Sequence, residues 1–309
     1  MPDPALIQAK QTAEAKLHLT YTALQNKYNS RPTTHQRFEM ANLEPVHFFD
    51  LYSDLPGPSK SWSHNTLKIR AVLNFKGIPY SQSWVSYPDI KPLAISLGLP
   101  PNKQGRPYTL PAIIHKSSAT SSPSGAMMDS LEIAAHLDKV FPSPPLFPSG
   151  DGSYALFVAV SKIVSLLEPG FRPFIIPRVV NHLDPRGQKY FHDTRSAALG
   201  KPLSEVRPTD EKTIDKLWKL VETESVALIN MLKGMEGKEG PFFEGKKPGY
   251  ADLFLACQLA FIERFDKELF GKFLALGDGE IEILYHACVP WLEGQGEDKE
   301  WVIPTDTSS

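Results

Sequence analysis

Apolar residues change their spacing about halfway along this 309-residue chain. Up to residue 140, short apolar runs alternate with Pro- and Gly-rich turns; beyond 153, apolar positions recur every three or four residues over long stretches. Short runs bounded by turns predict strands, and the longer period predicts helices that pack by one face. Phe48, Phe49, Leu51 and Tyr52 form the first run, too brief for a helix, and it stops at Asp54. Pro56, Gly57 and Pro58 then exclude regular structure. Leu67, Ala71 and Phe75 follow at i, i+4 and i+8, which predicts a helix with Ser63 at its N-cap and Gly77 at its end. Residues 80–85 read as a second strand and 91–97 as a short helical piece interrupted by proline. Residues 108–114 read as a third strand. Pro111 donates to no ladder there, so it marks an edge position or the strand's entry, with a cis bond open. Residues 126–128 make a fourth strand, and Asp129 opens a helix that runs to Val140.

Residues 141–152 hold four prolines, two glycines and two serines, the composition of a linker. Helices are expected at 155–168, 210–235, 251–265 and 281–292, with 251–265 central because it is almost continuously apolar. The stretch 169–208 mixes aromatics with turns, and 294–309 reads as a polar tail. The expected organisation is therefore an extension at 1–45, a mixed α/β domain at 46–141, the linker at 142–152, an all-α domain at 153–293 and the tail. The extension has only a thin helical stripe, Ala13, Leu17, Tyr21 and Leu24, broken at Arg31-Pro32. Residues 1–39 are expected to be dispensable for folding, Met40 being a second possible start.

Composition narrows the chemistry. A net charge of −2 supplies no basic field, so neither nucleic acid nor an anionic membrane surface is an expected partner. No apolar run of about 20 residues is read from the sequence, nor a cleavable leader, and the expected location is cytoplasmic. Cys257 and Cys288, the only cysteines, have neither metal-ligand nor CxxC spacing and read as reduced thiols; no metal is expected. The 28 prolines, about 9% against a usual ~5%, fall between periodic segments and punctuate loops.

Two polar positions stand out. Ser63 is an ordinary capping residue; equally, it lies beside open backbone N–H groups at the positive end of a helix dipole, a place that suits an anion such as a thiolate. Asp129 and Glu132 have the spacing of a capping box with Asp in place of Ser or Thr.

The order of these parts resembles a glutathione transferase over residues 46–293. The wording resembles the fungal serine-type transferases related to bacterial lignin β-etherases. It is carried by Trp62-Ser63-His64-Asn65-Thr66-Leu67-Lys68-Ile69-Arg70, Tyr87-Pro88-Asp89-Ile90, Tyr108-Thr109-Leu110-Pro111, Met128-Asp129-Ser130-Leu131 and Gly200-Lys201-Pro202-Leu203-Ser204-Glu205-Val206. The resemblance implies a thioredoxin-like first domain, a helical second domain, glutathione as co-substrate and a homodimer. It also implies a glutathione site of Asn65, Leu110, a cis Pro111, Asp129 and Ser130, with Asp129 facing the γ-glutamyl ammonium group, and Ser63 as the residue that activates the thiol. Trp62, Phe171, Phe174, Tyr190 and Phe191 are candidates for an apolar second-substrate pocket.

Three departures from that pattern are visible. His64 stands where proline often follows the serine, and reads as a solvated side chain at a helix start. Gly249 replaces the usual Ser or Thr three residues before Asp252, and the extension is additional. The implied activity is conjugation of glutathione to, or cleavage with it of, an apolar aromatic electrophile, in detoxification, ether cleavage or a secondary-metabolite step. A ligand-binding protein without turnover and a glutathione-dependent isomerase are the alternatives.

Overall fold

The computed structural model describes residues 45–304 apart from 121 and 295. The expectations for residues 1–44 lie outside the described residues. Strand β1 (Val46–Leu51) is buried along its whole length, helix α1 (His64–Phe75) follows, and β2 (Tyr80–Val85) lies parallel to β1. After the short α2 (Ile90–Ser96), β3 (Ala112–Ile114) runs antiparallel to β1 and β4 (Ala126–Met128) antiparallel to β3, before α3 (Ser130–Val140). This arrangement is the thioredoxin-like half of the fold. Six helices make the other half: α4 (Asp151–Val179), α5 (Pro185–Leu199), α6 (Glu211–Lys233), α7 (Tyr250–Phe265), α8 (Lys267–Leu274) and α9 (Glu280–Glu293).

Helix α1 is central to both halves, packing on α3 and β1 in its own half and on α7 and α9 in the other. Almost every position from Thr66 to Phe75 is therefore buried, charged ones included. Arg70 turns inward to Asp50 on β1, at 2.9 Å, with both side chains fully excluded from solvent. The guanidinium also donates to the Tyr80 hydroxyl at 3.0 Å and the Gly294 carbonyl at 3.1 Å.

Helix α7 is nearly all buried, as its unbroken apolar run predicts. Its first turn is fixed by Asp252, whose two carboxylate oxygens accept the N–H groups of Gly249 and Phe243, each at 2.8 Å. Gly249 supplies no capping side chain, and a Cβ there would stand 3.2 Å from the Leu146 carbonyl. The glycine thus trades half of a capping box for close contact with the preceding loop.

The structure corrects four expectations. Residues 169–208 are largely helical: α4 continues through Pro169, Pro173 and Pro177 to Val179, and α5 follows with Asp184 capping it and Pro185 in its first turn. The three prolines fall at i, i+4 and i+8, so the hydrogen bonds they remove lie on one side of α4. Packing against α6 and α7 holds the helix together there. Gly170 brings α4 close to α6, since a Cβ would lie 2.4 Å from Val221.

Helix α4 also belongs to a 32-residue stretch, Asp151–His182, long and apolar enough to cross a membrane by length and composition alone, against the expectation of no apolar run of that length. The third strand is shorter than 108–114: its ladder begins at Ala112, after the cis Leu110–Pro111 bond. Lastly, the polar tail contributes β5 (Glu297–Asp298), parallel to β2, giving the sheet order β4-β3-β1-β2-β5. Asp298 accepts from Gln82 at 2.6 Å and from the Trp84 indole at 3.0 Å, and Trp301 stacks on His47 at 4.9 Å. No apolar signal marks such a strand; side-chain hydrogen bonds and backbone pairing carry it.

Candidate active site

The segment between β1 and α1 is held at three points. Ser53 donates to the Lys60 carbonyl at 2.9 Å, the buried Ser61 donates to Asp50 Oδ2 at 2.5 Å, and the Trp62 indole N–H donates to the Tyr52 carbonyl at 3.2 Å. Ser63 follows in extended backbone (φ −69°, ψ 121°) as the N-cap of α1. Its carbonyl accepts the Leu67 N–H at 2.8 Å and the Thr66 hydroxyl at 3.1 Å. Its own hydroxyl makes no capping bond, whereas a serine at an N-cap ordinarily satisfies an N–H of the first turn. The capping reading of Ser63 therefore does not account for the side chain.

Two cavities meet at this serine. One, of about 660 Å³, is walled by Leu51, Pro88, Tyr108, Leu110 and Tyr190. The other, of about 360 Å³, is walled by Trp62, His64, Lys68, Phe171, Phe254 and Phe261. Ser63, Asn65, Tyr87 and Arg195 border both. Tyr87 forms part of the partition, stacked on Tyr190 at 5.9 Å, and burial pushes its hydroxyl up to about 12. An Arg186–Asp89 ion pair at 2.6 Å joins α5 to the segment carrying Tyr87.

At the start of α3, Asp129 has φ 79°, the one non-glycine residue with positive φ among the described residues. Its carboxylate accepts the Leu131 N–H at 2.9 Å and the Glu132 N–H at 3.3 Å, while the residue itself stays exposed. Asp129 is therefore a cap held in a conformation that costs of order 1–3 kcal/mol, the sort of strain that gathers at ligand sites. Ser130 faces the Tyr250 hydroxyl of α7. Leu110 borders the larger cavity, and because the β3 ladder begins only at Ala112 its backbone is outside that ladder. Uncommitted backbone, a helix N-terminus and an exposed carboxylate suit a peptide with a free amino and carboxyl end.

Of the residues proposed for a second-substrate wall, Trp62, Phe171 and Phe191 border the smaller cavity and Tyr190 the larger. Phe174 is buried away from both, under the Arg207 guanidinium at 5.6 Å. His64 is not a solvated side chain. It is half-buried, its ring packs edge-on against Phe261 at 5.0 Å, and its Nδ1 is buried without a partner. Burial, helped by Lys68 and Arg172, pushes it down to about 3, so the imidazole is neutral at pH 7. Tyr52 and Ser61, the other hydroxyls near the helix start, border neither cavity; Lys60 sits over the Tyr52 ring at 5.5 Å.

Sequence reasoning missed Lys68, Arg172 and Arg195 as wall residues. Lys68 sits on α1 beside Leu67 and Ile69, and a lysine amid buried positions was the available signal. Arg172 and Arg195 lie where turns were expected.

Within this frame the comparisons with known proteins agree. The family model for the glutathione S-transferase N-terminal domain matches residues 62–140, and that for the C-terminal domain matches 155–291. The chain belongs to the glutathione S-transferase family. It is 55% identical over 263 residues to the glutathione S-transferase-like protein ustS of Aspergillus flavus, covering 84% of this chain and 95% of that one. Among solved structures it is similar to glutathione transferase GSTFuA3 from Phanerochaete chrysosporium (30% identity, TM-score 0.70, 81% of this chain and 98% of that one). It is also similar to a glutathione S-transferase of Ceriporiopsis subvermispora in complex with glutathione (28% identity, TM-score 0.69, 80% and 98% covered).

Proposed function

We propose that the protein is a serine-type glutathione S-transferase acting on an aromatic electrophile. The observation that carries this reading is the Ser63 hydroxyl, unused by the helix it caps and bordering both cavities. Glutathione would lie along the residues 46–141, with its γ-glutamyl end at Asp129 and Ser130, its cysteinyl backbone at Leu110 beside Pro111, and Asn65 at the edge. Its thiolate would accept the Ser63 hydroxyl at the positive end of α1. The electrophile would enter the smaller cavity, whose walls come largely from residues 153–293. Sulfur then bonds to the electrophilic carbon and the leaving group departs with its electron pair. A cytoplasmic role in detoxification, ether cleavage or secondary metabolism fits this chemistry. A panel of aromatic electrophiles assayed with glutathione tests it: absence of turnover, together with an ordinary thiol pKa for bound glutathione, would leave a ligand-binding protein.

Replacing Asp129 by Ala removes a charge-assisted contact and weakens glutathione binding by about 1.5–3 kcal/mol, roughly ten- to a hundredfold. Titration calorimetry decides it; unchanged affinity would leave Asp129 a helix cap alone.

The family is generally dimeric, and α4 leaves Tyr154 (49% exposed), Val158 (47%) and Leu166 (40%) at multiples of four residues on one side. We read that side as the contact with a second copy. Val158→Glu is expected to shift the sedimenting species from dimer toward monomer, and a wild-type monomer would end the idea.

A further inference from the structure

The smaller cavity is built for an aromatic ring, yet its ionisable groups do not cancel. Glu168 and Arg172 pair with each other at 2.9 Å. Among the described residues Lys68 has no such partner: the residue is nine-tenths buried, and its ammonium group donates to the Asn65 amide oxygen at 2.9 Å and lies over the Phe254 ring at 4.7 Å. Arg195 likewise makes no ion pair among the described residues: it meets the Thr194 hydroxyl at 3.2 Å, hydrogen-bonds the Tyr87 hydroxyl, and lies over the faces of Phe191 at 4.5 Å and Tyr87 at 5.7 Å. Burial lowers Lys68 to about 8 even with Asp129 and Glu168 pulling the other way. His64 is neutral. Two cations thus share aromatic walls with Ser63, and among the described residues neither is ion-paired with a carboxylate. Removing a charge from water without a counter-charge is costly, and an incoming anion would recover much of that cost.

We propose that the second substrate is an aromatic electrophile bearing a carboxylate, selected by Lys68 and Arg195 while its ring lies against Trp62 and Phe261. This rests on the transferase reading above and narrows its substrate class. A carboxylate could also come from glutathione itself, so the test separates the two sources.

A suitable probe pair is 4-chloro-3,5-dinitrobenzoate and its methyl ester. In each, the glutathione sulfur bonds to the ring carbon bearing chlorine, the carbon–chlorine bond breaks, chloride leaves with the electron pair and the thiol proton passes to solvent. After division by the uncatalysed rates, kcat/KM is expected to favour the acid by at least about tenfold. Lys68→Met and Arg195→Leu should each cut that preference roughly tenfold, through KM for the acid, and Lys68→Arg and Arg195→Lys should restore part of it. Equal use of acid and ester by the wild type would overturn the proposal. So would a rise in KM for glutathione with both electrophiles alike, which would give the cations to glutathione's own carboxylates. If neither probe is turned over, the transferase reading fails separately. Binding of 3,5-dinitrobenzoate against its methyl ester, followed by quenching of tryptophan fluorescence, then still decides. Tighter binding of the acid that is lost in both variants sustains the assignment, and equal binding sinks it.

Discussion

Ser63→Ala raises the pKa of bound glutathione by about one to two and cuts turnover near pH 7 roughly ten- to a hundredfold. A free thiol with pKa ~8.5 is only a few per cent ionised at pH 7, and lowering it by about two corresponds to ~2.7 kcal/mol. One hydroxyl donor at a helix N-terminus is of the right size to supply much of that. No cation is available to do it instead at His64, which is neutral. Affinity for glutathione changes little, because the contacts proposed at Asp129 and Ser130 remain. The measurement is thiolate absorbance of the bound tripeptide against pH, in wild type, Ser63→Ala, Ser61→Ala and Tyr52→Phe. The assignment is wrong if only Tyr52→Phe or Ser61→Ala moves the titration, a result not expected because neither residue borders a cavity.

Asp50→Ala destabilises the protein by about 3–5 kcal/mol, the cost of leaving a buried charge without its partner. That is a large share of the ~5–15 kcal/mol that holds an ordinary protein folded. Arg70 would keep the Tyr80 hydroxyl, the Gly294 carbonyl and the faces of Phe48 and Trp84 but no counter-charge on them, and Ser61 and the Leu51 N–H would lose the carboxylate they donate to. Combining Asp50→Ala with Arg70→Met should cost less than the two changes separately, because the second removes the stranded charge. Denaturant midpoints of the single and double variants measure this. Strict additivity, or a loss under ~1 kcal/mol in Asp50→Ala, would show that the pair contributes little in solution. Ser61 stands two residues before Ser63, so the surviving fold of Asp50→Ala should also show a raised KM for the electrophile.

Sequence patterns located the elements that local chemistry specifies. Ser63 before an i, i+4, i+8 stripe, Asp129 before Leu131 and the continuous apolar run of α7 are each signals contained within a few residues, and each element begins where they indicate. What escaped depends on tertiary contact. Pro169, Pro173 and Pro177 read locally as breaks, yet α4, packed on α6 and α7, runs on through them. The site divides the same way. Ser63 stands out locally as a helix cap, and Trp62 and Leu110 through the resemblance, and all three border a cavity, whereas Lys68 and Arg195 become wall residues only when α1 and α5 face one cavity. Phe174 shows the limit of reading aromatics as pocket residues, since its ring serves Arg207.

Strand β5 bears on how the molecule is made. Gln82 and Asp298, which bond across the edge of the sheet, are 216 residues apart. At ribosomal speeds of about 5–20 residues per second, roughly ten to forty seconds pass between their syntheses. Throughout that interval the nascent thioredoxin-like half presents β2 as an open edge, a template for pairing with other chains. Closure comes only after the last helix has emerged, so a fusion or truncation at the carboxyl end acts first on the half of the protein made earliest.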